Sequence, residues 1–316
     1  MPRFFMFVFH IYFLYFQFFA VYFELNMMKK FIQKLFLRFF GFKVLPPEKK
    51  SILNDKDVPR DGRCDNPVEL SKDLFRQLLK LKGKYLDDSG KVKYTSARKD
   101  PAFSQFEVDV ALLQFIDLRV LDEMERRAFF INIYNSLTLH AMILSVKDNT
   151  PNLFRLDNFW ENHAYRIANF VFSLNDIEHG VLRSNKVNPM FLEPSFREGD
   201  SRLEFSQKML DPRIHFALNC GAKSCPPILL FSSENLDMAL ELASQNFCQG
   251  ATEVDSERKI ITLSKLLKWY KSDFGNNNLE VIRWITPYLT EEQKRSILAC
   301  GDCFKVKYAP YDWSIH

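Results

Sequence analysis

The stretch from Asp211 to Pro227 reads Asp-Pro-Arg-Ile-His-Phe-Ala-Leu-Asn-Cys-Gly-Ala-Lys-Ser-Cys-Pro-Pro and places a histidine and two cysteines in one short segment. These residue types suit thiol chemistry. Cys225 would be the nucleophile, His215 the base, and Asn219 or Asn135 the group that orients the imidazole. A thiolate needs a lowered pKa. Cys225 has two sources of one, a position before Pro226-Pro227 where the chain can cap a helix, and Lys223 close by. A zinc site from His215, Cys220 and Cys225 is a further reading. Its spacing is loose and lacks a paired Cys-x-x-Cys knuckle, so no metal ligands are assigned. A Cys220–Cys225 disulfide fits the spacing but not a reducing cytosol.

The elements that would position these groups follow from hydrophobic period. Over Arg213–Asn219, Ile214, Phe216 and Leu218 alternate with Arg213, His215, Ala217 and Asn219, which predicts a strand with one core face and one site face. Arg126–Ser145 is apolar nearly all round, the pattern of a buried helix. At 100° per residue Asn132, Asn135, Ser136 and His140 form one polar stripe on it. Buried amides and imidazoles need partners. The stripe is therefore either a network fixing loops to the helix or one wall of a pocket whose other wall is the His215 face. The second reading makes Asn132, Asn135, His140, Arg213 and Cys220 pocket-lining residues.

Elsewhere the pattern predicts helices over 70–82, 102–115 and 121–145, and a hairpin through 163–173 turning at Ala168-Asn169. Ser173-Leu-Asn-Asp176 caps a helix running to about Arg183. Further helices are expected over 236–247, from Leu266 to Phe274 and around Val281–Trp284, with a strand over 259–263. Thr290-Glu-Glu-Gln293 is a capping box. Cys300-Gly-Asp-Cys303 reads as a turn rather than a redox motif. The aromatic run 306–314 is expected to return to the core as a strand and plug. The fold class is mixed α+β, a single helix-rich domain around a small sheet. The expected divisions are 1–26 as a transmembrane or signal-like segment, 27–65 as a basic amphipathic helix and linker, and 66–316 as the domain, with its core at 105–240.

Charge separates the parts further. Residues 27–50 carry a net +6 through Lys29, Lys30, Lys34, Arg38, Lys43, Lys49 and Lys50 against Glu48, whereas the whole chain is +4. The remainder has no positive surplus for phosphates, which argues against nucleic-acid binding. Phe4–Phe23 is long and apolar enough for a bilayer span. The basic residues following it would leave the rest in the cytosol. Phe31, Ile32, Leu35, Phe36 and Phe39 then form one face of a basic amphipathic helix, so residues 4–40 are the expected membrane contact. A signal peptide, and a start at Met27 or Met28 that leaves a soluble cytoplasmic domain, are the competing readings.

Three motifs occur in order: Arg127-Ala-Phe-Phe-Ile-Asn-Ile-Tyr-Asn-Ser-Leu-Thr-Leu-His140, Ser173-Leu-x-Asp-Ile-Glu-x-Gly-Val-Leu-Arg183, and Ile214 through Pro227. Leu263-Ser-Lys-x-Leu-Lys-Trp-Tyr, Asp273-Phe-Gly-Asn and Pro310-Tyr-Asp-Trp313 extend the set. Together they resemble the domain of unknown function 547 family over nearly all of residues 66–316. The resemblance implies no assigned activity. Some members add a glutaredoxin or DEP module or a leucine zipper, none of which is evident here. Ala168-Asn169 stands where many members have Gly-Gly.

Two functions remain open. One is a cytosol-facing, membrane-tethered interaction or scaffold domain with a His/Cys polar pocket. The other is a thiol-dependent hydrolase or transferase using Cys225 and His215. Phosphate-loop and dinucleotide signatures are missing, so no cofactor is expected.

Overall fold

The computed structural model describes residues 50–147, 150–153, 156, 158–191, 193–301 and 303–315. The expected span and amphipathic helix within residues 4–40 lie outside them. Residues 50–316 form one compact unit. It opens with β1 (Ser51–Ile52), followed by α1 (Pro67–Lys84). Asn66 caps α1 by accepting from the Glu69 amide, and Pro67 fits the first turn, where its missing N–H costs nothing. The stretch 51–66, expected as linker, is instead folded. β1 pairs with a later strand, and the buried Asn54 donates to Val110 and Arg166 carbonyls.

Next comes α2 (Pro101–Asp109), which tightens into a 3₁₀ helix over Val110–Phe115 where one continuous helix was expected. α3 (Glu123–Ser145) starts from a full capping box between Asp122 and Glu125. Every residue of α3 from Ala128 to Ile143 is buried. It is the one helix among the described residues long and apolar enough to cross a membrane, but it serves as the axis of the main core, with α1 packed along it.

β2 (His163–Ile167) and β3 (Phe170–Ser173) form the expected antiparallel hairpin, with Ala168 in the left-handed region at φ +51°. β1 adds in parallel to β2 and completes a three-stranded sheet in the order β1-β2-β3. Ser173 and Asp176 then cap each other reciprocally, starting α4 (Asp176–Leu182). α4 has π-helical pitch, with the Arg183 amide reaching the Glu178 carbonyl five residues back.

Beyond the 211–227 segment lie α5 (Leu236–Ala251), β4 (Glu253–Asp255) and β5 (Ile260–Leu263). They are followed by α6 (Lys265–Trp269), α7 (Lys271–Phe274), α8 (Asn278–Ile285), α9 (Glu291–Cys300) and β6 (Lys305–Tyr308). β4, β5 and β6 make a second three-stranded sheet, so the domain holds two small sheets rather than one. Phe216, Phe247, Leu263 and Val281 are among the residues of the second core beside it. The architecture is mixed α+β.

The expected strand over 213–219 does not form. Pro212–Phe216 is a 3₁₀ helix, because Asp211 accepts from the Arg213 amide as an N-cap and Pro212 presets the first helical φ. The apolar alternation of Ile214, Phe216 and Leu218 survives as burial of all three around a tighter coil.

Candidate functional site

The loop from Ala217 to Ile228 is held in place by asparagines. Asn135 on α3 donates to the Ala217 carbonyl (3.0 Å) and accepts from the Asn219 amide (2.8 Å). The Asn219 carboxamide then braces the loop from within, accepting from the Gly221 amide and donating to the Pro226 carbonyl, both at 2.8 Å. Gly221 is obligatory at its position. Its φ is +91°, and a Cβ there would collide with the Met142 sulfur. The far side of the loop is strapped by residues 312–315. Lys223 donates to the Ser314 carbonyl, Ser224 exchanges bonds with Asp312, and Ala222 bridges to Ile315.

This brace brings three groups onto the half-buried Cys225 sulfur. The Cys220 amide lies at 3.2 Å, the Cys220 sulfur at 2.9 Å and the Tyr311 hydroxyl at 3.3 Å. Burial opposes ionisation of Cys225. The Cys220 thiol, the Tyr311 hydroxyl and backbone amides outweigh it and bring its pKa down to about 7. Cys220 moves the other way, pushed well above the ordinary thiol range by its bond to Cys225 and by burial. Of the two thiols Cys225 is therefore the one that ionises first, with Cys220 left to donate to it. Burial and the two sulfurs likewise keep Tyr311 a protonated donor.

Next to the sulfurs lies a buried polar network. Tyr134 and Tyr270 donate to the two Glu178 oxygens at 3.0 and 2.6 Å, and the Cys220 sulfur acts electrostatically on both phenols. Burial would raise the Glu178 pKa, but the neighbouring His179 ring, the Tyr270 hydroxyl, His215 and Arg183 together hold it below the usual range. The Tyr270 ring stacks on His215 at 4.0 Å between centroids. His215 Nε2 donates to Asp273 at 2.8 Å, and Arg183 grips the same carboxylate with two nitrogens at 2.7 and 3.1 Å. Asp273 is held far below the usual carboxylate range: burial opposes this, and His215 and Arg183 outweigh it. Arg183 also donates to His179 Nδ1 at 2.7 Å. That bond and burial keep His179 neutral, with a pKa of about 4.

The site residues read from the sequence therefore separate. Cys225, Cys220, Asn219 and Asn135 come together around the loop. His215 does not join them. Burial lowers its pKa, its Nε2 proton goes to Asp273, and no hydrogen bond links it to Cys225, so the Cys225–His215–Asn219 constellation is not formed. Asn219 orients the loop rather than an imidazole. The stripe on α3 does not form one pocket wall either. Asn132 pairs with both main-chain groups of Phe231, and His140 sits among Phe103, Phe106 and Tyr165 with Nδ1 3.0 Å from the Tyr165 hydroxyl. Asn132, Asn135 and His140 each meet a different element because α3 is surrounded on all sides. Arg213 lies apart, paired with Asp211 and Asp237.

Sequence reasoning passed over Tyr311, Glu178, Arg183, Tyr270 and Asp273. Ionisable residues inside the apolar run Ile177–Arg183 were the available signal, since an acid, a histidine and an arginine there must be buried together. Among the described residues no group of three or more His, Cys, Asp or Glu side chains is arranged to hold a metal ion.

A mixed α+β domain with a strapped cysteine pair beside a buried ion network is the class this geometry defines. Residues 118–248 match the family model described as protein of unknown function, DUF547, so the chain carries a DUF547 domain. The matched segment holds α3, α4 and both cysteines, while Tyr270, Asp273 and Tyr311 come from outside it. No curated protein and no solved structure matches the chain significantly.

Proposed function

We propose that the domain is a thiol-dependent hydrolase or transferase with Cys225 as its nucleophile. The observation that carries this is the convergence of the Cys220 amide, the Cys220 thiol and the Tyr311 hydroxyl on one half-buried sulfur. Such donors favour the thiolate, the reactive form of cysteine. The thiolate would attack an electrophilic acyl carbon, forming an S–C bond as the leaving group departs. Water or an acceptor nucleophile would then attack the acyl carbon and expel Cys225 as the thiolate, its proton returning to whichever of Cys220 and Tyr311 had protonated the leaving group. The leaving group takes its proton from the Cys220 thiol or the Tyr311 phenol, both held protonated.

Alkylation by iodoacetamide between pH 5 and 9, resolved cysteine by cysteine by mass spectrometry, tests the reading. Cys225 should react ahead of the other five cysteines with a midpoint near pH 7, and Cys225→Ser should fold and lose that labelling. Slow labelling of Cys225, together with unfolding of Cys225→Ser, would instead make it a packing residue of a scaffold domain.

The composition of residues 4–40 supports a second element of the reading, attachment of the domain to the cytosolic face of a membrane. Fractionation tests it: the full chain should sediment with membranes and a chain beginning at residue 51 should not. Equal solubility of the two removes this element.

A further inference from the structure

Cys220 and Cys225 are both free thiols in the folded chain, and both are half-buried. Their sulfurs lie 2.9 Å apart, so the ~2.05 Å of an S–S bond is less than about 1 Å of movement away. The loop holds them there through its backbone. Asn135 fixes the Asn219 amide, Asn219 grips the Gly221 amide and the Pro226 carbonyl, and the Cys225 amide donates to the Ala222 carbonyl. Each cysteine is therefore flanked by an anchored residue. The other four cysteines differ: Cys64, Cys248 and Cys300 are buried, and Cys303 is exposed. The acyl chemistry proposed above uses Cys220 only as a proton donor, a role that a serine hydroxyl would also fill. A second sulfur adds something a hydroxyl lacks, the ability to bond to the first.

We propose that the pair is a peroxide-responsive modification site, in which Cys225 is the sulfur oxidised first and Cys220 the sulfur that resolves it to a disulfide. The inference rests on the reactive Cys225 of the reading above and not on its acyl step. The Cys225 thiolate attacks one oxygen of hydrogen peroxide. An S–O bond forms, the O–O bond breaks, and the departing hydroxide takes up the proton that Cys225 had released, leaving as water. The Cys220 sulfur then attacks the sulfenic sulfur. The S–S bond forms, the S–O bond breaks, and the hydroxide leaves with the Cys220 proton as a second water. The two sulfurs are oxidised by two electrons in total, and the peroxide is reduced by the same two. A resolving thiol already in contact outruns further oxidation to the irreversible sulfinic acid. A dithiol reopens the bridge by exchange, its own sulfurs becoming the disulfide. Under reducing conditions the pair thus stands as thiols and closes only when peroxide rises. While closed, the domain has no nucleophilic thiolate.

Treating the full-length protein at neutral pH with a small excess of hydrogen peroxide tests this, with iodoacetamide added afterwards to block the remaining thiols before tryptic mapping by mass spectrometry. Trypsin cuts after Lys223, between the two cysteines, so the disulfide emerges as two peptides joined across that cut. Wild type should lose two hydrogens, yield the joined peptides and lose iodoacetamide labelling of Cys225, and dithiothreitol should restore that labelling. Cys220→Ser should give no joined peptides. Its Cys225 should instead be trapped as the sulfenic acid by dimedone and pass to sulfinic acid as peroxide continues. Should Cys220→Ser fail to fold, the wild-type map alone decides. Wild-type Cys225 that labels with iodoacetamide but reaches sulfinic acid without joined peptides overturns the switch, and so does a disulfide found at Cys300–Cys303 instead. Cys225 inert to both iodoacetamide and peroxide overturns the thiol reading itself, so the two failures are distinguishable.

Discussion

The Tyr311 hydroxyl lies 3.3 Å from the Cys225 sulfur, across 86 positions of sequence, because residues 312–315 are strapped to the loop that carries the cysteine. That phenol is one of the three donors to the thiolate. Tyr311→Phe keeps the ring and its packing against Trp269 and Trp313 but removes the donor. The midpoint of Cys225 alkylation should rise by about one pH unit, since a hydrogen bond to a charged group carries roughly that much free energy. A pH–rate profile checks it.

Asp273 is the shared anion of Arg183, Lys186 and His215, and its side chain is fully buried. Asp273→Asn leaves the 1%-exposed Arg183 guanidinium without its counter-ion. Removing one partner of a buried pair costs about 3–5 kcal/mol. Urea denaturation should show a loss of that order. Cys225 reactivity in the still-folded fraction should change little, because no hydrogen bond joins Asp273 to the sulfurs.

Burial holds His140 at a pKa of about 3 and His179 at about 4. Both are bases depressed on folding, so between their folded values and the unfolded value of ~6.5 the unfolded chain binds more protons. Stability should therefore rise with pH across that window and fall as the protein is acidified through it. His140→Gln should flatten the acid limb, recovering about 3 kcal/mol of the loss between pH 6.5 and 4. Denaturation midpoints measured at a series of pH values are the check.

Gly221→Ala places a Cβ against Met142 at a φ of +91°. The substitution should destabilise the domain by about 1–3 kcal/mol. It should also slow Cys225 alkylation, because the loop must shift. Thermal unfolding and labelling rate should move together.

Local chemistry made much of the fold readable. The capping signals at Thr290 and Ser173, the all-round apolar helix and the hairpin at Ala168-Asn169 each became the expected element. The 213–219 segment misled because an alternation of period two also fits a short coil, and Asp211-Pro212, a helix-starting pair, decided the conformation. Cysteines 220 and 225 were legible as a pair by spacing. Their partners were not. Tyr311 reaches the loop from 86 positions further along the chain, and no local pattern encodes which distant hydroxyl a thiol will face. His215 was misassigned for the same reason, since its partner Asp273 lies 58 residues away.

The strap over the loop also ties reactivity to the completion of folding. In an unfolded or partly folded chain none of the three donors is gathered, and Cys225 has the pKa of a free thiol, ~8.5, so it is largely protonated at neutral pH. The long sequence separations among Asn135, Cys225 and Tyr311 mean that these contacts close only once most of the topology is in place. On the thiol reading proposed above, the neutral-pH alkylation rate at Cys225 should therefore rise as these contacts close, and following that rate during refolding is the check.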